Sequence, residues 1–274
     1  MGAQSVDYIL AHPESEPYSQ SVLSHAFHPF TVQVFREAGI KEGMRILEIG
    51  SGGGDLALLA AEYVGLSGSV VGIEGSQEAV AYATGRALAS DLHNVSFVQA
   101  GIDQDLPFEP EFDALVGRII LMFVPSPASF VRKLVRHVKP GGLVIFQEPD
   151  MSWAKSVPNV PTVENAAGWM REVFRRSGAN SEMGPKLHAI FKEAGLPDPK
   201  MRVDGLIYGS GGAGPSLLTE TIRSMLPAIE AFGLASPRDI QIDTFEHRMR
   251  AELESANASM SSPLLVSAWA RLPE

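Results

Sequence analysis

Residues 45–55 read RILEIGSGGGD. An apolar run carrying one acid ends at Ile49, and a run of glycines separates it from Asp55 and the helix-forming stretch DLALLAAEYVG. A strand, a tight glycine turn and a helix start place backbone N–H groups and the positive end of a helix beside an approaching ligand, which suits nucleotide-like molecules. The glutamate narrows the choice. A carboxylate at Glu48, two residues before the first glycine, repels a pyrophosphate by about 1 kcal/mol per charge pair in water and by several times that when partly buried. It attracts a cation instead. The glycine spacing agrees, because a dinucleotide fingerprint counted from Gly50 requires a glycine at its sixth position, where this chain has Asp55.

Outward from this turn, the sequence alternates short β-type runs with amphipathic stretches as far as about residue 149, the pattern of a parallel sheet covered by helices. Strands are expected at 45–50, 69–74, 95–100, 112–117 and 143–148. Ser76 is placed to cap the helix that follows the second strand. Phe130, Val131, Leu134, Val135 and Val138 form one apolar face opposite Arg132, Lys133, Arg136 and His137. Beyond residue 149 the character changes. Amphipathic segments at 162–177 and 185–194 precede a strand-like run at 200–209, a helical region to about 258, and a last strand at 263–271. The glycine-rich GSGGAG at 209–214 reads as a flexible hinge. Met151, Trp153, Trp169, Met170 and Phe174 can either line an apolar chamber or pack as core.

The second strand ends in Glu74, placed to accept hydrogen bonds from both hydroxyls of a ribose. S-adenosylmethionine carries an ammonium, a sulfonium and a ribose, and no phosphate, so it matches the two acids and the glycine turn. The motifs ILEIGSGGG, VVGIEGS, GIDQDLPF, FDALVGRIILMFVPSP and VKPGGLVIFQEPD resemble, in order and spacing, those of class I S-adenosylmethionine-dependent methyltransferases. HPFTVQVFREAGIKEGM and LLVSAWARLP are similar to bacterial members that act on small molecules. The resemblance implies an α/β, Rossmann-like, doubly wound seven-stranded sheet, mostly parallel with an antiparallel last strand, plus a helical lid. It divides the chain into a helical cap segment (1–40), a cofactor-binding core (41–150), the lid (151–195) and strands and helices completing the sheet (196–274).

The resemblance also implies that Glu48, Gly50, Ser51 and Gly52 surround the methionine part of the cofactor, that Glu74 and Gly75 hold the ribose, and that Ile102 and Asp103 flank the adenine. The chain departs from the family there, with Ile102 where an aspartate is common and Asp103 one position later. Arg118 falls where a residue touches the cofactor and faces the substrate; pairing with Glu148 is its structural alternative. Methyl transfer needs alignment and exclusion of water more than acid–base machinery. Glu148, at the end of the fifth strand, is the first candidate for a catalytic, substrate-facing group, and His25 the second.

Composition bounds the rest. The 274 residues include 45% hydrophobic and 20% charged, enough for a full core, and the net charge of -10 leaves no basic stripe for nucleic acid. With no cysteine there is neither a disulfide nor a thiolate metal site, and the histidines, aspartates and glutamates lack metal-ligand spacing, so no metal is expected. No apolar run approaches the ~20 residues that span a bilayer, and a cytoplasmic enzyme acting on a small molecule is expected, with the oligomeric state open and a homodimer among the options. A cofactor-binding protein without methyl transfer and an NAD(P)-dependent oxidoreductase are the alternatives.

Overall fold

A computed structural model describes residues 16–101, 104–106, 108–109 and 111–274, with the backbone alone for 16–25. In chain order the first half contains α1 (Glu16–Ala38), β1 (Arg45–Ile49), α2 (Asp55–Val64), β2 (Ser69–Glu74), α3 (Gln77–Ala89), β3 (Val95–Gln99), β4 (Phe112–Arg118), α4 (Pro127–Leu134) and β5 (Val138–Asp150). The second contains β6 (Ser156–Val157), α5 (Pro161–Arg176), α6 (Leu187–Ala194), β7 (Lys200–Asp204), β8 (Ile207–Tyr208), α7 (Gly214–Ala231), α8 (Pro237–Ile240), α9 (Ile242–Ser255), β9 (Ser259–Ser261) and β10 (Leu264–Arg271). They form two compact units, one of Ser24–Glu148, Met183–Val203 and Val266–Glu274, the other built on Pro149–Glu182 and Asp204–Leu265.

The first unit carries a seven-stranded sheet in the order β3-β2-β1-β4-β5-β10-β7. β1 pairs in parallel with β2 and β4, and β4 in parallel with β5. Ile46, Leu47, Ala114, Leu115 and Val144 are wholly buried, which explains why these strands read as unbroken apolar runs: helices cover both faces. β10 enters antiparallel. Gln147 on β5 donates to the Ser267 hydroxyl at 2.9 Å, and the Leu272 N–H donates to the Gly142 carbonyl at 2.8 Å, so β10 runs back along β5. The strand order reverses direction between β1 and β4, and in open sheets of this kind ligands bind outside the carboxyl ends of the strands at that reversal.

The second unit is helical, with Val163, Met170, Ile222, Met225, Phe245 and Met249 from α5, α7 and α9 in one core and a three-stranded sheet in the order β6-β9-β8. Met151, Trp169 and Phe174 pack in or against this core, whereas Trp153 is half exposed with Lys155 over its ring. Of the stretch 151–195, residues to 182 lie in this unit, and α6 belongs to the sheet unit, where it packs on α4.

Two local expectations change. The run 200–209 is two strands in different sheets, because the chain turns at Gly205, where a Cβ would meet Leu264 at 2.7 Å, and the Leu206 N–H is held by the Ser262 hydroxyl at 3.0 Å. The glycine-rich stretch 209–214 is tied rather than hinged: Arg250 donates to the carbonyls of Ser210 and Gly212 and to the Ser216 hydroxyl. Composition alone did not reveal a guanidinium some 40 residues away.

Because β10 has neighbours on both edges and buries Leu265, Val266 and Trp269, each worth about 1.5–3 kcal/mol against a total stability of about 5–15 kcal/mol, deleting residues 264–274 should abolish the cooperative thermal transition followed by circular dichroism. A truncated chain that still melts cooperatively would contradict this placement of β10.

Candidate cofactor site

The carboxyl ends of β1, β2, β4 and β5 bring together Glu48, Glu74, Arg118 and Glu148. Register places Glu48 opposite Gly72 on β2 and Val116 on β4, with Ile49 across from Gly117. The two glycines are needed for close approach. A Cβ at Gly72 would sit 2.4 Å from the Ser51 hydroxyl, and one at Gly117 would meet the Phe146 ring at 2.6 Å.

The glycine turn uses its own donors internally. The N–H groups of Gly50 and Ser51 both donate to the Ile73 carbonyl, at 2.9 and 3.0 Å, and that of Gly54 donates to the Ser51 carbonyl at 2.8 Å. The Gly52 N–H donates to a carboxylate oxygen of Glu74 at 2.8 Å. These amides therefore do not form a nest for phosphate. Gly50, Gly52 and Gly54 adopt φ of 74°, 48° and 86°, in the left-handed region that favours glycine. Arg86, from α3, braces the turn: it donates to the Gly53 carbonyl at 2.6 Å and to Asp55 at 2.7 Å.

Glu48 is buried, with 1% of its surface exposed, and its Oε2 is an acceptor with no donor among the described residues. The Ser51 hydroxyl, also buried, lies close enough to pull the Glu48 carboxyl down but meets hydrogen-bond geometry with no partner among the described residues. Burial pushes the Glu48 carboxyl up to about 7, against the opposing pull of Ser51 and of the Arg118 guanidinium, and with Asp55 and Glu74 adding to the rise. Arg118 is itself shifted down by burial, while Asp55 and Glu48 favour its charge. Glu74 is half-buried; its second oxygen accepts from the Ser76 N–H at 3.0 Å, and at Gly75 a Cβ would meet nothing within 4 Å, leaving open space beside the carboxylate.

Glu148 is wholly buried and is also pushed up to about 7 by burial. Its oxygens accept from the N–H groups of Ile120, Leu121 and Met122 at 3.0, 2.7 and 3.2 Å. Ile102 and Asp103 lie outside the described residues, and the side chain of His25 does also.

Sequence reasoning missed a polar bridge behind the site. The buried Thr31 hydroxyl of α1 donates to the Gln147 side chain at 2.7 Å and accepts from Arg118 at 3.2 Å, and Gln147 continues to Ser267. The available signal was a threonine on the apolar stripe of α1 with Phe27, Val34, Phe35 and Ala38, all buried. Arg86 gave no such signal, since an arginine on an exposed helix face reads as a solvated charge.

The residues fit S-adenosylmethionine on the structure alone. Among the described residues buried Glu48 Oε2 lacks the donor that an ammonium supplies, Glu74 beside open Gly75 suits a diol, and the amides of Gly50, Ser51, Gly52 and Gly54 are already engaged.

A family model described as a methyltransferase domain matches residues 40–195. The chain is 35% identical over 133 residues to the ubiquinone biosynthesis O-methyltransferase of Alkalilimnicola ehrlichii, covering 48% of this chain and 52% of that protein. It is 31% identical over 117 residues to the demethylmenaquinone methyltransferase of Staphylococcus saprophyticus, covering 42% and 49%. The chain thus spans about half the length of these curated relatives. The YcgJ protein of Bacillus subtilis has the same fold, with a TM-score of 0.58 at 19% identity over 91% of this chain and 99% of that one. With more than half of its length matched, the chain belongs to the methyltransferase-domain family and has the class I fold whose members take their methyl group from S-adenosylmethionine.

Proposed function

We propose that the protein transfers the methyl group of S-adenosylmethionine to an O, N or C nucleophile of a small molecule. The single observation that carries the cofactor reading is the buried Oε2 of Glu48, without a donor among the described residues, beside a glycine turn in which the amides of Gly50, Ser51, Gly52 and Gly54 are already used. A pyrophosphate would meet two carboxylates and few available amides. An ammonium would supply the donor Glu48 lacks.

In this reading Glu48 and Ser51 receive the amino-acid end of the cofactor. Gly50 and Gly52 line the same end, Gly50 leaving room for the Ile120 side chain behind it and Gly52 a bare backbone for the ligand to approach. Glu74 and Gly75 take the ribose, and Ile102 with Asp103 the adenine. Arg118 offsets the negative charge of Glu48 and Asp55, which would otherwise be costly to bury together. The bound cofactor supplies a methyl group already activated by its sulfonium; the chain's share is to hold that group in line with the acceptor and to exclude water. His25, in α1, remains the candidate for accepting a proton from a phenol or carbon acid, a service worth roughly 10² to 10⁴ in rate.

The relatives named for quinone methylation support a small-molecule acceptor, but their similarity covers about half of this chain. We assign acceptor choice to the part of the chain they do not share, so the acceptor here is a separate question from theirs. A screen of candidate acceptors read by S-adenosylhomocysteine formation tests the transfer itself. Cofactor binding with no turnover on any acceptor would favour a binding protein on this fold.

Titration calorimetry should show S-adenosylhomocysteine binding in the micromolar range and no measurable binding of NADP; tight NADP binding would remove the charge argument. The second expectation concerns protons. A carboxyl raised from 4.5 to about 7 in the folded chain keeps its proton in a window where the unfolded chain has lost it, so Glu48 and Glu148 make the ligand-free protein less stable as pH rises from 4.5 to about 7. An incoming ammonium favours ionised Glu48. Binding near pH 6.5 should therefore release a proton, visible as a buffer-dependent enthalpy, and Glu48→Gln should remove that release and weaken binding at least tenfold. A buffer-independent enthalpy in the wild type would count against Glu48 as the ammonium partner.

A further inference from the structure

Glu148 stands where a substrate-facing acid would, but its carboxylate is already occupied. It gathers three successive N–H groups, those of Ile120, Leu121 and Met122, on the turn that follows β4. The residue before them, Ile119, has φ of 56°, a conformation that a β-branched side chain rarely adopts, and its N–H donates to the Gln147 carbonyl at 2.8 Å. Such a backbone persists only where its surroundings hold it. The Ile120 side chain then lies against the glycine turn: a Cβ at Gly50 would be 2.7 Å from its Cδ1, and one at Gly117 would be 3.0 Å from its Cγ2.

We propose that Glu148 is a positioning residue for cofactor binding, holding the turn after β4 so that Ile120 forms the wall against which the glycine turn at Gly50 is set. It acts through backbone amides and Ile120, not by contact with the reacting atoms. Above about pH 7, where it is ionised, the chemistry favours a carboxylate. Both of its oxygens are acceptors, whereas a glutamine of the same shape would turn an N–H₂ donor towards one of the amides. This rests on the cofactor reading above.

The test compares wild type, Glu148→Gln and Ile120→Ala by titration with S-adenosylhomocysteine and by hydrogen exchange of the residue 120–122 amides in the ligand-free proteins. Exchange there should be slow in wild type and at least tenfold faster in Glu148→Gln, with S-adenosylhomocysteine bound at least tenfold more weakly. Ile120→Ala should weaken binding while its amides stay slow, which separates the wall from the carboxylate holding it and serves also if Glu148→Gln does not fold. Faster exchange with unchanged affinity in Glu148→Gln, or full affinity in Ile120→Ala, would overturn the proposal, as would a Glu148→Gln enzyme that loses turnover alone, the mark of a catalytic acid or base. A wild type that fails to bind S-adenosylhomocysteine would sink the cofactor reading itself, whereas wild-type binding with normal variants would sink only the role of Glu148.

Discussion

Burying a carboxylate at the carboxyl end of β1 is the constraint around which the sheet unit is arranged. Water would stabilise the ionised Glu48, and the fold removes it from water almost entirely. Several otherwise unrelated features meet this cost. Arg118 ends the adjacent strand with a compensating charge, and Thr31, itself fixed by its bond to Gln147, accepts from its guanidinium from behind. Gly72 leaves space for the Ser51 hydroxyl, while Arg86 neutralises Asp55, whose charge would otherwise add to that of Glu48. One oxygen of Glu48 nonetheless stays without a donor among the described residues, so the compensation within them is incomplete, which is the opening that the proposed cofactor ammonium would fill.

Glu48 and Glu148 form an instructive pair. Both are buried, both lie near the carboxyl ends of the strands on either side of β4, and burial raises both to about 7. Acidity alone would assign them the same job. Hydrogen bonds separate them: Glu148 is satisfied by three amides of its own chain, and Glu48 has an oxygen that nothing in the described chain satisfies. A buried acid with all its acceptors engaged acts as a fixture, and one left short is open to a ligand.

Much of this was legible in the sequence, because the features involved are local. The strand, glycine turn and helix around Glu48 follow from neighbouring residues, and the mostly parallel sheet follows from apolar runs spaced by helices. β10 was readable as a strand from its pattern, and its antiparallel direction was implied by the resemblance. What could not be read depends on partners distant in the chain. Thr31 meets Gln147 across 116 positions, Glu148 meets Leu121 across 27, and Arg250 reaches Gly212 across 38. The split of 200–209 had a local sign in Gly205, yet β propensity carries no label for which sheet a strand will join. Only the close approach to Leu264 decides that.

The insertion of β10 between β5 and β7 governs the order in which the chain can fold. β5 ends at Asp150 and its neighbour begins at Leu264, so during synthesis one edge of β5 waits, apolar and unpaired, while the helices of the other unit are made. Closing so long a loop is slow, since its entropy must be spent before any strand contact rewards it. An open edge on a buried strand also invites pairing with a wrong chain. The helical unit has its own core and can condense meanwhile, shortening the effective separation between β5 and β10. By the same reasoning, early assembly of α5, α7 and α9 would shorten the time for which that edge is open.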